Sequence, residues 1–98
     1  MGKVMFTISY EINPEKRDEY LALTTRMKQH LAQKNGKAYS IYEQKGKKNS
    51  FSEVFIFNSM AEYDQLEDED EQMGQFMGEL EALMINGKMK YSTLIELE

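Results

Sequence analysis

The sequence holds one histidine, His30, and no cysteine. A histidine titrates near neutrality, so His30 is the candidate catalytic residue, a proton acceptor at the lip of a pocket. It also lies at the border of an apolar helical stripe, where a half-exposed structural role is the plainer reading. Six tyrosines are many for 98 residues. Tyr10, Tyr20, Tyr39, Tyr42, Tyr63 and Tyr91 could offer hydroxyls to a substrate oxygen, and the competing reading is core and interface filling. Tyr20 and Tyr63 should point from helices toward a sheet. With Met73, Phe76 and Met77, adaptable or aromatic residues at helical spacing, they form the candidate substrate pocket.

Other chemistries find no support. No Gly-rich phosphate cradle, Ser/His/Asp spacing or Cys/His metal pattern appears, so neither a metal nor a bound cofactor is expected. The run Glu67-Asp68-Glu69-Asp70-Glu71 lacks the glycine turn and ligand spacing of a calcium loop and reads as a solvated helix junction. Gly74 and Gly78 form a Gly-x-x-x-Gly spacing that would let a helix sit close to the sheet. Lys45, Lys47 and Lys48 make a small basic hairpin tip, by default a wet loop. The net charge of −5 speaks against nucleic-acid binding, which needs a basic surface. No apolar run approaches the roughly 18 residues of a membrane span, and Met1-Gly2-Lys3-Val4 is no signal-peptide start. The expectation is one cytoplasmic domain over residues 1–98, reducing conditions being compatible with the lack of cysteine.

Alternating patterns define the elements that must position these residues. Val4 to Ile12 reads as a strand with Val4, Phe6, Ile8, Tyr10 and Ile12 on its core face. Asn13-Pro14-Glu15 starts a helix by a side-chain cap, a preset φ and a dipole charge. That helix should run to about Lys34, where Asn35-Gly36 ends it. Residues 37–44 form a second strand, joined through a short turn to the Phe51–Phe57 strand. Ser59 and Glu62 form a capping box for the next helix. A break near Asp68, with Asp68 or Asp70 as cap, opens a further segment to about Met84, stopped by Asn86-Gly87. Residues 88–98 make the last strand, with Met89, Tyr91, Thr93, Ile95 and Leu97 on one face.

This order predicts an α+β, ferredoxin-like βαββαβ fold. It closes as a four-stranded antiparallel sheet with its helices on one face and the first and third strands central. From Val54 to Phe57 the apolar run is unbroken, so whichever side meets the helices, the other stays apolar. A second copy of the chain, stacking sheet on sheet as a homodimer, is the simplest cover.

The opening strand Val4–Ile12, the Asn13-Pro14-Glu15 helix start, the Phe51–Phe57 strand and the turn Asn58-Ser59-Met60-Ala61-Glu62-Tyr63-Asp64 resemble the dimeric α/β-barrel superfamily. That superfamily includes the antibiotic-biosynthesis-monooxygenase-like proteins. The resemblance is one of pattern across nearly the whole chain. It implies a pairing as a dimeric α/β barrel, a pocket between sheet and helices, and oxidation of a small aromatic or quinol-like substrate without metal or cofactor. Haem-degrading relatives use an Asn, a His and a Trp. This chain has no Trp, and Thr7 and Ser9 stand where that Asn is expected, so that activity is not carried over.

Three functions follow. The first is a cofactor-independent monooxygenase-like enzyme with His30 or a tyrosine hydroxyl managing protons. The second is a non-catalytic dimer that binds a small ligand or a protein. The third is an RNA-recognition motif, disfavoured because Glu53 sits where a stacking aromatic is needed and the chain is acidic.

Overall fold

The structure, a computed structural model, describes residues 2–33, 38–64 and 71–97, with the side chains at 32, 33, 38 and 71–73 outside the description. The strands are β1 (Val4–Glu11), β2 (Ala38–Glu43), β3 (Ser50–Phe57) and β4 (Lys90–Ile95), and the helices are α1 (Arg17–Gln33), α2 (Met60–Asp64) and α3 (Glu71–Leu83). The sheet runs β2-β3-β1-β4 with every pairing antiparallel. The expected order of elements and the central places of the first and third strands are both found. The stop at Asn35-Gly36, the break near Asp68 with its acidic run, and the side chain of Met73 lie outside the described residues.

Sidedness follows the alternation. Val4, Ile8, Tyr10, Phe51, Phe55 and Phe57 are buried against Tyr20, Leu23, Met27, Leu31, Phe76 and Leu80 of the helices. Their alternates, Met5, Thr7, Ser9, Ser52, Val54 and Ile56, face away from the helices. Within that open face Met5 pairs with Ile56 on one side and Leu94 on the other. These three form an apolar row across three strands, each exposed by more than a third.

Local signals set the element ends. Asn13 Oδ1 accepts the Glu15 backbone N–H at 3.0 Å, and Pro14–Lys16 forms a 3-10 turn that leads into α1. The capping box forms with a one-residue shift. Ser59 Oγ accepts from the Glu62 N–H at 3.3 Å, but Glu62 Oε2 reaches back to the Asn58 N–H at 2.8 Å rather than to that of Ser59.

Three expectations are corrected. Helix α3 ends at Leu83, within a residue of the expected Met84, but what stops it is capture of the chain by the end of β1 and not Asn86-Gly87. Asn13 N–H donates to Leu83 O at 2.9 Å, Ile85 N–H donates to Glu11 O, and Ile12 bridges Met84. Strand β4 is shorter than 88–98 and exposed throughout, with Tyr91 and Ile95 each 60% accessible. Its core-side residues lie on the expected face, but at the edge of the sheet. Gly74 and Gly78 are exposed, with nothing within 4 Å of where a Cβ would stand, so close helix–sheet approach is not their reason.

Candidate functional site

The polar centre of the core is Glu53, which is wholly inaccessible to solvent. It sits in the middle of β3, facing the helices in an alternation of Phe51, Glu53, Phe55 and Phe57. Ile8 and Ile41 flank it directly on the two neighbouring strands. The diagonal positions are tyrosines, and a diagonal is within reach of long side chains. Tyr10 of β1 donates its hydroxyl to Glu53 Oε2 at 2.8 Å, and Tyr39 of β2 donates to Oε1 at 2.7 Å. From α1 above, Tyr20 brings its hydroxyl within 2.7 Å of that of Tyr10. Since the Tyr10 proton is given to the carboxylate, Tyr20 must be the donor to Tyr10. A directed chain runs from Tyr20 through Tyr10 to Glu53.

Two effects oppose each other at Glu53. Dehydrating a carboxylate costs several kcal/mol. Hydrogen bonds to a charged group contribute about 1.5–3 kcal/mol each, so two of them roughly offset that cost. No cation pairs with Glu53 among the described residues. Burial therefore raises its pKa, opposed by the bonds from Tyr39 and Tyr10. The tyrosines move the same way. Burial and then the Glu53 charge lift Tyr10 and Tyr39, and burial lifts Tyr20, so all three keep their protons. The cluster is a base of raised affinity for protons, enclosed by hydroxyls that can pass one on. Among the described residues no buried side-chain polar atom lacks a partner.

A second network braces this one. Arg17 Nη1 donates to Glu43 Oε2 at 2.7 Å and to Asn49 Oδ1 at 2.8 Å, and Glu43 also accepts the Asn49 backbone N–H. The Arg17 bond, then the Asn49 N–H, hold the Glu43 carboxyl down at about 2. Asn49 adopts a φ of 69°, a left-handed conformation tolerated by asparagine, and its carbonyl accepts from Ile12 N–H at 2.9 Å. Start of helix, end of β1 and hairpin are thereby tied beside the Tyr20–Phe51 contact, where the ring centroids are 4.3 Å apart.

Those of the expected pocket residues whose side chains are described are not gathered in one place. Tyr20 packs on Phe51, whereas Tyr63 packs on Phe57 and Phe6, with its hydroxyl 3.1 Å from Thr93 Oγ1. Phe51 and Phe57 are six residues apart on one strand, roughly 20 Å. Phe76 is buried at the contact of α1 and α3, with His30 edge-on at 5.7 Å and the Arg26 guanidinium over its ring. His30 thus lies outside the hydroxyl–carboxylate cluster. Met77 is half-buried at the core's margin. Glu53 is not among the candidate site residues read from the sequence. The available signal was its place two residues from Phe51 and from Phe55, on the inward side of an aromatic strand.

No protein-family model matches the chain, and no curated protein matches it. Solved structures do. A conserved protein from Methanosarcina mazei superposes with a TM-score of 0.82 at 14% identity, covering 96% of this chain and 92% of its own. SnoaB, a cofactor-independent oxygenase from Streptomyces nogalater, gives 0.77 at 12% identity, covering 98% and 94%. An antibiotic biosynthesis monooxygenase gives 0.74 at 14% identity, covering 97% of each chain.

The chain has the fold of the antibiotic-biosynthesis-monooxygenase-like proteins. The likeness extends over nearly the whole of both partners in each comparison. Identities this low carry the monooxygenase-like fold and no residue roles, so the chemistry rests on this chain's own side chains. Among the described residues no helix is long and apolar enough to cross a membrane, and no cluster of His, Cys, Asp or Glu could hold a metal ion.

Proposed function

We propose that the chain is a cofactor-independent monooxygenase-like enzyme acting on a small aromatic or quinol-like substrate, with Glu53 as the buried base. The observation that carries this is a carboxylate shut away from water that, among the described residues, has no cation beside it and is held by tyrosine hydroxyls. Tyr39 is half-buried on the edge strand β2, so it is the outlet of the relay. A phenolic substrate gives its proton to the Tyr39 oxygen as Tyr39 passes its own to Glu53. The electron-rich carbanion form of the substrate then gives one electron to oxygen. The radical pair joins through a new C–O bond, the peroxide takes back the proton held at Glu53 through Tyr39, and the hydroperoxide loses water, with the second hydrogen of the same carbon, to leave a carbonyl. Substrate and O2 become quinone and water, one oxygen atom in each, with no outside reductant. His30 keeps a structural place against Phe76 in this reading.

The function is tested with an oxygen electrode and a panel of quinols, naphthols and anthrones. Uptake above buffer, with quinone formed one for one with oxygen consumed, supports the reading. Rates equal to buffer across the panel reject it.

The non-catalytic reading has one observation in its favour. The helix–sheet interface around Tyr20, Phe51 and Tyr10 is filled, with every buried polar group partnered among the described residues. A silent panel combined with tight binding of an aromatic would select it.

The assembly is proposed with the function. A second copy stacks on the open face over the row Met5, Ile56 and Leu94, giving a homodimeric α/β barrel. Ile56→Lys puts a charge at one end of that row, beside Met5, and should convert the dimer to monomer in sedimentation velocity without lowering the helix content. A wild-type chain that sediments as monomer refutes the pairing.

A further inference from the structure

The open face of the sheet changes character along its length. The Met5 row at one end is apolar, Thr7 and Val54 pair in the middle, and Ser9 pairs with Ser52 on one side and Lys90 on the other. At this polar end lies a cavity of about 280 Å³. Ser9 and Ser52 form part of its wall, Lys47 enters from the β2–β3 turn, Lys88 from the approach to β4 and Lys90 from the first position of β4.

Charge is concentrated there against the sign of the chain. Three ammonium groups face one carboxylate, Glu11, which is already held by Lys47 at 2.9 Å. Lys88 and Lys90 have no ion pair among the described residues. The Ser9 and Ser52 hydroxyls lie 2.8 Å apart, so one donates to the other. The pair then has one proton left over to give to an acceptor in the cavity. Point-charge ammonium groups and a hydroxyl donor in one concavity suit an oxyanion. The volume suits a one-ring molecule rather than a polymer.

We propose that this cavity binds a small organic anion, its carboxylate or phosphate lying between Lys88 and Lys90 and accepting from the Ser9–Ser52 pair. The site is separate from the Glu53 carboxylate, although Tyr10 and Phe51 contribute to both surroundings, and it needs no oxygenase chemistry.

The test is an NMR titration of the labelled full chain at low salt with benzoate, phenyl phosphate and inorganic phosphate. Saturable shifts confined to Ser9, Ser52, Lys88 and Lys90 are expected with at least one organic anion, and the tighter of the two names the charged group. Added salt should weaken the binding. The double variant Lys88→Gln, Lys90→Gln should bind about tenfold more weakly, since two charge contacts of modest strength are lost. Lys28→Gln, an exposed change on α1, should leave affinity unchanged. Shifts that never saturate, that spread over the lysines at large, or that persist undiminished in the double variant overturn the proposal.

Discussion

Replacing Glu53 by Gln should lower the oxygen-uptake rate by roughly 10²–10⁴-fold, the usual worth of a positioned general base. The variant is built to fold. Gln has nearly the same shape, and each tyrosine hydroxyl can rotate to accept from the new amide or to donate elsewhere. The amide oxygen keeps accepting from Tyr10, whose own acceptor role toward Tyr20 is unchanged, and half-buried Tyr39 accepts from the amide N–H and turns its proton toward water. Loss of rate with unchanged circular dichroism assigns the base. A variant as fast as wild type removes Glu53 from the mechanism, whatever the substrate. The wild-type rate should also rise with pH through the raised Glu53 pKa, since only the carboxylate accepts a proton, and the Gln variant should lack that limb.

Tyr10→Phe should destabilise the fold by about 1–3 kcal/mol, because it strands a buried acceptor and a buried donor together. Glu53 Oε2 loses the hydroxyl at 2.8 Å, and Tyr20 loses its acceptor. Urea unfolding followed against pH checks the cause. The Glu53 pKa is raised above its ordinary 4.5, so the folded chain keeps a proton that the unfolded chain has lost. Its contribution to stability is full below pH 4.5 and is lost as pH rises through the folded value. Tyr10→Phe removes one bond that favours the charged form, moving the folded value further up and widening that window. Glu43 acts in the opposite sense. With its folded pKa at about 2, its contribution is present above 4.5 and is lost as pH falls toward 2. Wild-type stability should therefore peak near pH 4.5 as far as these two carboxyls are concerned. A Tyr10→Phe profile parallel to wild type at every pH would mean the hydroxyl does not act on Glu53.

The two expectations share a design in which one ionisable group is kept in the core by neutral donors rather than by a cation. A salt-bridged glutamate would be a poor base, because its partner would hold the proton off. Tyrosine hydroxyls hold the carboxylate without taking that capacity away. The Arg17–Glu43–Asn49 brace, charged and half-exposed, lies at the rim of the same cluster and fixes the elements that bring Tyr10, Tyr20 and Phe51 together.

Local rules in the sequence determined the elements and their sides. Asn13-Pro14 and Ser59 with Glu62 set helix starts because caps act within a few residues. The alternation of Val4 to Ile12 and of Phe51 to Phe57 set which face is buried because a strand repeats every two residues. The apolar wealth of the first and third strands went with their central places in the sheet. Tertiary structure alone decided the site. Tyr10 and Tyr39 meet Glu53 through strand register, over separations of 43 and 14 residues in sequence, and Tyr20 meets Tyr10 through a helix crossing. No local pattern encodes a diagonal between strands. The capture of the chain after α3 by the end of β1 and the bareness of β4 were decided the same way, by partners distant in the chain and by the limited width of a single layer of helices.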